Sequence, residues 1–559
     1  MLPKIKSLIQ LILFLLIVTI SLKAQPSRLG AQTVEFTVYA ADKGKMIPNM
    51  ADNINVWNYR QEWMGPRDKE YAGYFREKLP FVKYVQFMMA AGGNEERDLF
   101  KKPLDRSVTD DYDFTPLIEA CRNVVAQGLI PHLKIGNVPL KYCTEPKISQ
   151  SFGVNLLPPD SYATWHRYVY ELGNALVREF GKSKVQNWRF GVLTEYENKD
   201  WFSVGDDPLA TRTAYFKLYD YTVDALQKSV GKNICVGGHS MTVSDGLWDE
   251  RDFITHCARG KNYCTGKKGT RLCYLASSYY DPIPGKTAEK TLPECIDHLR
   301  KHAEKEGLKN LIYGIDEGRI LQGTDRKDLD PRAIGNTWQA AYDARMFETM
   351  IDYDIDYFSQ WKFTSEGIWG GVPSVSLHTA NLFYTISGNK RLRTENITSQ
   401  LMPQQTEASN TGCVAAIDKR GCKLFLLFYA YSNSVFEQGD RTISCRINDL
   451  PQNIRQVEVT CTLINDDSNF FDEWERDQKE QGMTDNDFGW SKSSYVTTIP
   501  TLKSRKYIDY FKSRETFYTQ CATLKQSPSF ILPVENGKGL LTFSIPIHGV
   551  ALYEIEIKK

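Results

Sequence analysis

Short apolar runs alternate with longer amphipathic stretches over roughly the first two thirds of the chain. The short runs have the length and the β-branched or aromatic content of buried strands. Between them, apolar residues recur at helical spacing, as in Ser161–Phe180, where Trp165, Tyr168 and Leu172 share one face. The pattern predicts strands and helices in alternation. The predicted strands lie near residues 53–58, 82–89, 130–136, 187–193, 233–238, 272–279, 311–315 and 356–361.

This alternation is typical of an α/β fold built on a parallel sheet. The clearest helical patterns cover Phe114–Gln127, Ser161–Phe180, Thr211–Val230, Leu292–Glu306 and Arg332–Met350. Eight strand–helix units, with long loops between them, are what a TIM barrel contains. We therefore predict a (β/α)8 TIM barrel over residues 45–388.

The helical period fades after about residue 390, and strand-like runs at sandwich spacing replace it. These runs lie at residues 413–430, 441–447, 456–464 and 540–557. They predict a C-terminal β-sandwich domain over residues 389–559. Near the N-terminus, residues 32–41 alternate between polar and apolar, and we expect the segment 25–44 to join that sandwich. Residues 466–525 are polar and aromatic, without a regular period.

The first 24 residues have the pattern of a secretory signal peptide. Lys4 and Lys6 precede a nearly continuous apolar stretch from Leu8 to Leu22, and Ala24 offers a small residue for cleavage. The stretch is short for a transmembrane helix, so we expect no membrane span once it is removed. We expect a secreted, periplasmic or cell-surface protein, with an uncleaved anchor as the alternative.

Composition narrows the possible partners. The 559 residues are 42% hydrophobic and 25% charged, with a net charge of +1. Such a balance is typical of a globular protein and gives no indication of binding to nucleic acid or to an anionic membrane surface. The 12% aromatic content suits stacking on sugars and equally suits large cores. Nothing in the sequence indicates an oligomeric state.

The cysteines do not indicate a metal site. None of the twelve forms a CxxC pair and the chain contains no HExxH motif, so we predict neither a metal nor a cofactor. Export permits disulfides, and Cys257 with Cys264 is a plausible pair within a loop rich in glycine and lysine. Cys235 and Cys273 lie in strand-like runs, and we expect them to be buried free thiols.

Two strand-like runs end in carboxylates. The run from Trp188 to Leu193 is followed by Thr194 and Glu195, and the run from Leu311 to Ile315 is followed by Asp316 and Glu317. In a TIM barrel the carboxyl ends of the strands meet at one face, where the chemistry takes place. A pair of carboxylates there is what the hydrolysis of a glycosidic bond requires. We predict that Glu195 and Glu317 face one another, with Glu197 as the rival of Glu195.

At these residues the chain resembles glycoside hydrolase family 39, in clan A, which includes β-xylosidases and α-L-iduronidases. The similar segments, in chain order, are PPDSYATWHRYVYELGNALVREFG, WRFGVLTEYENKDWF, IYGIDEG, FSQWKFTSE, INDDSNFFDEWERDQKEQGM and HGVALYEIEI. The resemblance covers most of the chain after residue 24. It implies a TIM barrel with a β-sandwich, and hydrolysis that retains the configuration of the sugar.

The resemblance also implies residue roles. Glu195 would be the acid/base and Glu317 the nucleophile, Tyr280 would donate a hydrogen bond to the nucleophile, and Trp361 would form the floor of the sugar site. The remaining positions expected to bind substrate depart from the family pattern. This chain has Thr194 where the family has Asn, and Gln86-Phe87-Met88 where the family has R-F-H. It has His239 in place of the Pro of G-G-P, and Ser278 in place of a His. These departures imply a sugar other than xylose or weakened catalysis.

Three functions therefore stay open. The favoured one is a secreted glycosidase that removes a terminal sugar from a poly- or oligosaccharide. A carbohydrate-binding protein on a decayed barrel is the first alternative, because several helper residues have changed. An endo-acting hydrolase of the same clan is the second. Two further side chains are open: Trp201 is either a subsite aromatic or a loop residue, and Lys134 either binds a carboxylated sugar or forms an ion pair in the barrel mouth.

Overall fold

The computed structural model describes most of the chain after residue 32. The described residues are 33–56, 79–95, 97–281, 290–318, 335–360, 368–369, 372–401, 410–487, 502 and 504–557. The predicted signal peptide and Trp361 lie outside these ranges.

Eight parallel strands close into a barrel, and each pairs with the next along the chain. They follow an N-terminal strand, β1 (Thr33–Met46), which belongs to the second domain. The barrel strands are β2 (Asn53–Val56), β3 (Tyr84–Phe87), β4 (Ile130–Ile135), β5 (Arg189–Val192), β6 (Cys235–Ser240), β7 (Tyr274–Tyr279), β8 (Ile312–Gly318) and β9 (Tyr357–Gln360). The predicted TIM barrel is confirmed.

Helices follow the barrel strands and pack around them. They are α1 (Thr115–Ala126), α2 (Tyr162–Phe180), α3 (Lys182–Val185), α4 (Pro208–Ser229), α5 (Glu250–Arg259), α6 (Leu292–Lys305), α7 (Thr337–Asp352) and α8 (Val375–Ile386). Within the described ranges, we find no helix with the length and apolar character that crossing a bilayer requires.

The helix α2 illustrates how local sequence positions the barrel. Ser161 caps its first turn by accepting a hydrogen bond from Thr164 N at 3.3 Å, and Gly181 ends it with a φ of 83°. Its apolar face, which includes Trp165, Tyr168 and Leu172, is fully buried against the barrel. The start and the end therefore fall within one residue of the prediction.

The second domain is the predicted β-sandwich, present as nine strands whose two edges join so that the faces enclose one apolar core. Strand β1 connects the edges, pairing antiparallel with one neighbour and parallel with another. The remaining strands are β12 (Lys390–Asn396), β13 (Thr411–Ile417), β14 (Lys423–Ala430), β15 (Asp440–Asn448), β16 (Gln456–Ile464), β17 (Phe530–Glu535), β18 (Lys538–Pro546) and β19 (Val550–Glu556). Between the domains lies a short hairpin of β10 (Ile368–Trp369) and β11 (Val372–Pro373).

Part of the segment 466–525, which has no regular pattern of apolar residues, is helical. It contains α10 (Phe471–Glu480) and α11 (Arg505–Cys521), while α9 (Ile397–Leu401) is a single turn earlier in the domain. The aromatic side chains of these two helices pack together around Trp474. Val372 of the hairpin joins that cluster, so the helical insertion lies against the segment that follows the last barrel strand.

The two cysteine predictions are wrong. Cys235 and Cys273 form a disulfide with their Cα atoms 5.1 Å apart, whereas Cys257 and Cys264 are free thiols. The reason is strand pairing: Cys235 begins β6 and Cys273 directly precedes β7, so the register of two neighbouring strands brings the thiols together. A pairing separated by 38 residues leaves no local signal in the sequence.

Candidate active site

Glu195 lies in a sharp turn that follows β5. Leu193 and Glu195 adopt left-handed backbone conformations, with φ values of 60° and 43°. Side chains other than glycine rarely adopt such values, and the cost is borne where the surrounding structure enforces it. Here the Leu193 N–H donates to Ile135 O at 3.1 Å and the Tyr196 N–H donates to His239 O at 3.0 Å, which ties the turn to both neighbouring strands.

Both carboxylate oxygens of Glu195 accept hydrogen bonds. The Ser278 hydroxyl donates to Oε1 at 2.6 Å and the Asn198 amide donates to Oε2 at 2.8 Å. The orientation of that amide is fixed, because Asn198 Oδ1 accepts a bond from Asp200 N at 3.0 Å. Glu195 is 7% exposed, so it is nearly buried but still reachable from the barrel mouth.

Glu317 is turned toward the barrel axis by a β-bulge in β8. Ser277 pairs with Ile315 and Ser278 pairs with Glu317, so Asp316 is an extra residue on β8. A regular strand would send the side chains of Asp316 and Glu317 to opposite faces, and the bulge allows both to face inward. Glu317 is 7% exposed, and its Oε1 accepts a hydrogen bond from the Tyr280 hydroxyl.

The pairing of Ser278 with Glu317 brings the two carboxylates together. Paired residues on adjacent strands lie about 4.8 Å apart and point to the same face. Since the Ser278 hydroxyl holds Glu195, the carboxylate of Glu195 lies beside the base of the Glu317 side chain. The structure thus assembles, from β5 and β8, the pair that the sequence predicts.

Asp316 anchors the floor beneath this pair. Its carboxylate forms a 2.7 Å ion pair with Lys134 and accepts a 2.5 Å hydrogen bond from the Tyr357 hydroxyl. Its backbone carbonyl accepts from the amides of Gln86 at 2.8 Å and Asn55 at 3.0 Å. Burial acts to raise the pKa of Asp316, but the charge of Lys134, the two neighbouring histidines His132 and His239, and the hydrogen bond from Lys134 together outweigh it and hold that pKa well below its usual range.

Lys134 and His239 continue the network. Lys134 is fully buried, and burial lowers its pKa while the charges of Asp316, Glu317 and Glu195 oppose that shift. Its Nζ lies 2.5 Å from His239 Nδ1, and His239 Nε2 lies 2.8 Å from the Ser278 hydroxyl. Burial, and then the charge of Lys134, lower the pKa of His239 well below its usual range, so the imidazole is neutral.

The structure places the other predicted substrate residues as follows. Gln86 and His239 are fully buried and bonded to protein groups, and Thr194 donates to Met88 O at 3.3 Å. Gln86 and His239 support the carboxylates through Asp316 and Ser278, and all three side chains are at most 2% exposed. Tyr280 contacts Glu317, and Trp361 lies outside the described residues. Their roles toward a sugar stay predictions.

For Trp201 and Lys134, each of which had two possible roles, the structure favours the role that does not bind substrate. Trp201 is buried and stacks on Phe152 with ring centroids 4.1 Å apart, so it is a loop residue and not a subsite platform. Lys134 forms the ion pair with Asp316 and, being fully buried, offers no surface to a carboxylated sugar.

Glu197, the rival of Glu195, is held elsewhere. Its Oε1 accepts from the Ser240 hydroxyl at 2.6 Å and from Met241 N at 2.5 Å, at the end of β6. Burial raises the pKa of Glu197 to about 8, opposed by the Ser240 hydrogen bond. It is therefore a buried, protonated carboxyl group at neutral pH, with no contact to Glu317 among the described hydrogen bonds.

Two side-chain clusters in the described part of the chain have donor sets that could hold a metal ion. One is His166, Asp224 and Cys264, and the other is Asp249, Glu250 and His298. Each contains a carboxylate that already has a cationic partner, since Lys228 lies 2.6 Å from Asp224 and Arg251 lies 2.5 Å from Asp249. Neither cluster contains a residue of the barrel mouth.

The family follows from a match that spans both domains. The family model for Glycosyl hydrolases family 39 matches residues 97–477, which include both carboxylates and most of the barrel. The chain belongs to this family.

Curated relatives in the family cover only part of the chain. A β-xylosidase from Caldicellulosiruptor saccharolyticus is 26% identical over 238 residues, which are 42% of this chain and 46% of the relative. The α-L-iduronidase of Mus musculus is 24% identical over 170 residues, 30% of this chain and 24% of the relative. The match thus spans about half or less of each relative.

Solved structures support the fold over nearly the whole length. A family 39 enzyme from Xanthomonas axonopodis pv. citri has a TM-score of 0.66 at 14% identity, covering 96% of this chain and all of that one. A monomeric β-xylosidase from Caulobacter crescentus has a TM-score of 0.64 at 14% identity, covering 94% of this chain and all of that one. These matches show a shared barrel and β domain.

Sequence reasoning missed how the site is supported. It did not find the Ser278 bond to Glu195, the role of Asp316 as an anchor, or the link through Lys134 and His239. The available signal was a set of polar residues within strands that are otherwise apolar, namely Gln86, His132, Lys134 and His239. Such residues in the interior of a barrel must find partners. Here Lys134 bonds His239, Gln86 donates to the Asp316 carbonyl, and His132 bonds the Tyr274 hydroxyl.

Proposed function

We propose that this protein is a retaining glycoside hydrolase in which Glu195 is the acid/base and Glu317 the nucleophile. The observation that carries the proposal is the pairing of Ser278 with Glu317, which brings the two carboxylates to one place in the barrel mouth. Retention, which the family resemblance implies, needs carboxylates about 5–5.5 Å apart, so that the nucleophile attacks the sugar directly and no water fits between them.

The reaction balances with these two groups alone. Protonated Glu195 gives its proton to the glycosidic oxygen as that bond breaks, while ionised Glu317 attacks the anomeric carbon and forms a glycosyl ester. Glu195, now ionised, then takes a proton from water, and the resulting hydroxide replaces Glu317 at the anomeric carbon. The Tyr280 hydroxyl, which donates to Glu317, orients the attacking carboxylate and stabilises it when it leaves.

The substrate class is the terminal sugar of a poly- or oligosaccharide. Support comes from family membership and from the relatives that are called a β-xylosidase and an α-L-iduronidase. The departures at Thr194, Gln86 and His239 favour a sugar other than xylose. Export through the segment 1–24 completes the proposal, and the Cys235–Cys273 disulfide supports an oxidising compartment. N-terminal sequencing of protein recovered outside the cytoplasm should begin near residue 25.

The test is hydrolysis of nitrophenyl glycosides of xylose, galactose, glucose, arabinose and the uronic acids. Glu317→Ala should lower kcat/KM by several orders of magnitude, since no nucleophile remains. Glu195→Ala should lose activity on poor leaving groups and regain turnover when azide is added, giving a glycosyl azide of retained configuration. Glu197→Gln is the matched control and should keep wild-type activity, because that side chain is bonded at the end of β6. Full activity in Glu317→Ala would overturn the assignment.

A carbohydrate-binding protein on a decayed barrel is the second candidate. It is favoured by one observation: His239 and Ser278, at positions that line the sugar site in the family resemblance, are bonded to each other instead. It predicts sugar binding in calorimetry without turnover of any glycoside. An endo-acting hydrolase would be distinguished by products longer than one sugar from an intact polysaccharide.

A further inference from the structure

A fully buried charge pair lies beneath the two carboxylates. Lys134 and Asp316 have no exposed surface, so neither side chain contacts a substrate. Burying such a pair is costly, and replacing one by apolar residues is often neutral or stabilising. The pair therefore contributes little to stability that an apolar core would not supply, and its contacts indicate what it contributes instead.

The contacts of Lys134 form a chain that ends on Glu195. From its ammonium group, hydrogen bonds run to His239 at 2.5 Å, then to Ser278 at 2.8 Å, and finally to Glu195 Oε1 at 2.6 Å. We call Lys134, His239 and Ser278 the donor chain. Its three members come from three different strands, β4, β6 and β7, while Glu317 lies on β8.

The direction of every proton in the donor chain is fixed by its first member. An ammonium group donates and cannot accept, so Nδ1 of the neutral imidazole must accept, and Nε2 must carry the hydrogen. Nε2–H then donates to the Ser278 oxygen, which leaves the Ser278 hydroxyl hydrogen free to donate to Glu195. As a result, Oε1 of Glu195 is always an acceptor.

We propose that the donor chain positions Glu195 and confines its transferable proton to Oε2, a role that rests on the proposed function. Oε2 accepts from the Asn198 amide and, as a carboxyl oxygen, has a further position for the proton. The proton is thus held on one defined atom of the acid. His239 and Ser278 are positioning residues, since they act through Glu195.

The same charge pair holds the nucleophile strand. Asp316 is the bulge residue directly before Glu317, and it is anchored by Lys134 and Tyr357 through its side chain. One buried ion pair therefore sets the position of both carboxylates, one through the backbone and the other through the donor chain. The other titratable groups near the chain are His132, which contributes to the charge environment of His239, and Glu317.

The test is the pH dependence of kcat/KM for Ser278→Ala on a glycoside found to be hydrolysed by the wild type. A carboxyl group that loses a hydrogen bond to its charged form is harder to ionise. The basic limb of the kcat/KM profile should therefore move to higher pH by about one unit. kcat/KM should fall about tenfold with a poor leaving group. With a dinitrophenyl leaving group, which needs no proton, the loss should disappear.

The controls separate positioning from folding. Ser277→Ala removes a buried hydroxyl one residue earlier on β7, which contacts Thr242 and donates to the backbone carbonyl of Ser278 at 2.7 Å but bonds no side chain of the donor chain; its pH profile should match the wild type. His239→Leu leaves the Ser278 hydroxyl free to turn away from Glu195 and should shift the limb in the same direction as Ser278→Ala, by a smaller amount. His239→Gln should restore the wild-type limb, because its amide accepts at one end and donates at the other. A wild-type profile in both Ser278→Ala and His239→Leu would overturn the proposal.

A measurement without substrate separates this inference from the function. In protein labelled with ¹³C at the glutamate carboxyl groups, the Glu195 resonance is assigned by its loss in Glu195→Gln. That resonance should titrate about one pH unit higher in Ser278→Ala than in the wild type. An unchanged titration would refute the donor chain even in an active enzyme. A shifted titration in a protein that hydrolyses no glycoside would refute the proposed function and keep the donor chain.

Discussion

The interior of the barrel and the core of the β domain are both buried, but the first contains many polar side chains and the second is mainly apolar. Along the barrel axis, buried polar groups such as Lys134, His239 and Asp316 hold one another through hydrogen bonds. The core of the β domain consists mainly of aliphatic and aromatic side chains, among them Ile443 and Phe428, together with the thiols of Cys413 and Cys445. Apolar contacts are not directional, whereas hydrogen bonds fix distance and angle.

The contrast indicates that the two interiors have different roles: one stabilises the fold and the other positions the carboxylates. The β-domain core stabilises the fold through burial of apolar area, and many combinations of apolar residues would do the same. The barrel interior fixes the carboxylates at defined positions, and few substitutions would preserve its geometry. Changes in the barrel should therefore cost stability and activity together, while changes in the β domain should cost stability alone.

Lys134→Met should produce the largest effect on stability. It leaves the Asp316 carboxylate buried without its cation, which costs about 3–5 kcal/mol of unfolding free energy. Denaturant unfolding measures this, and kcat/KM of the remaining folded protein should also fall. The double variant with Asp316→Asn should recover part of the stability, since no buried charge remains. If Lys134→Met were as stable as the wild type, the proposed difference between the two interiors would be wrong.

Glu197→Gln should have the next largest effect on the free energy of unfolding, and only at higher pH. The folded-state pKa of Glu197 is raised from 4.5 to about 8, so the wild type loses stability as pH rises through this range. The neutral amide does not, and the variant should be more stable than the wild type at pH 8 by on the order of 4 kcal/mol. Near pH 4 the two should unfold alike. Parallel stability curves across this window would show that the carboxyl group is not buried as a protonated acid.

Ile443→Val should have the smallest effect. It removes one methylene from the β-domain core and should lower the unfolding free energy by about 1 kcal/mol. Its kcat/KM and its pH profile should equal those of the wild type, because no residue of the donor chain contacts that core. A changed pH profile would show that the two interiors are coupled.

Much of the fold can be predicted from the sequence, because the spacing of apolar residues within each element indicates whether it is a helix or a strand. Ser161 caps α2, Gly181 ends it, and the barrel strands are short apolar runs, so each signal lies within the element it predicts. The helices α10 and α11 were missed, although Phe471 and Trp474 in the first, and Phe511 and Tyr518 in the second, are spaced for one face. Charged residues around these aromatics masked the period.

The candidate site was readable only in part. Glu195 and Glu317 follow strands, which is a local signal, and the barrel topology brings strand ends together. The bond from Ser278 to Glu195 spans 83 residues, and the inward orientation of Glu317 depends on the β-bulge at Asp316, which has no sequence signature of its own. The Cys235–Cys273 pairing was missed for the same reason, since strand register is a property of the assembled sheet.

Strand β1 has a consequence for the architecture of the chain. Because Thr33–Met46 joins the edges of the C-terminal sheet, the barrel is topologically an insertion between the first strand of the β domain and the rest of it. A fragment cut at the visible domain boundary would expose the unpaired edges of β12 and β15, which invite association with other chains. The unit that can be exchanged or recombined between relatives is therefore the barrel with two junctions, one on each side.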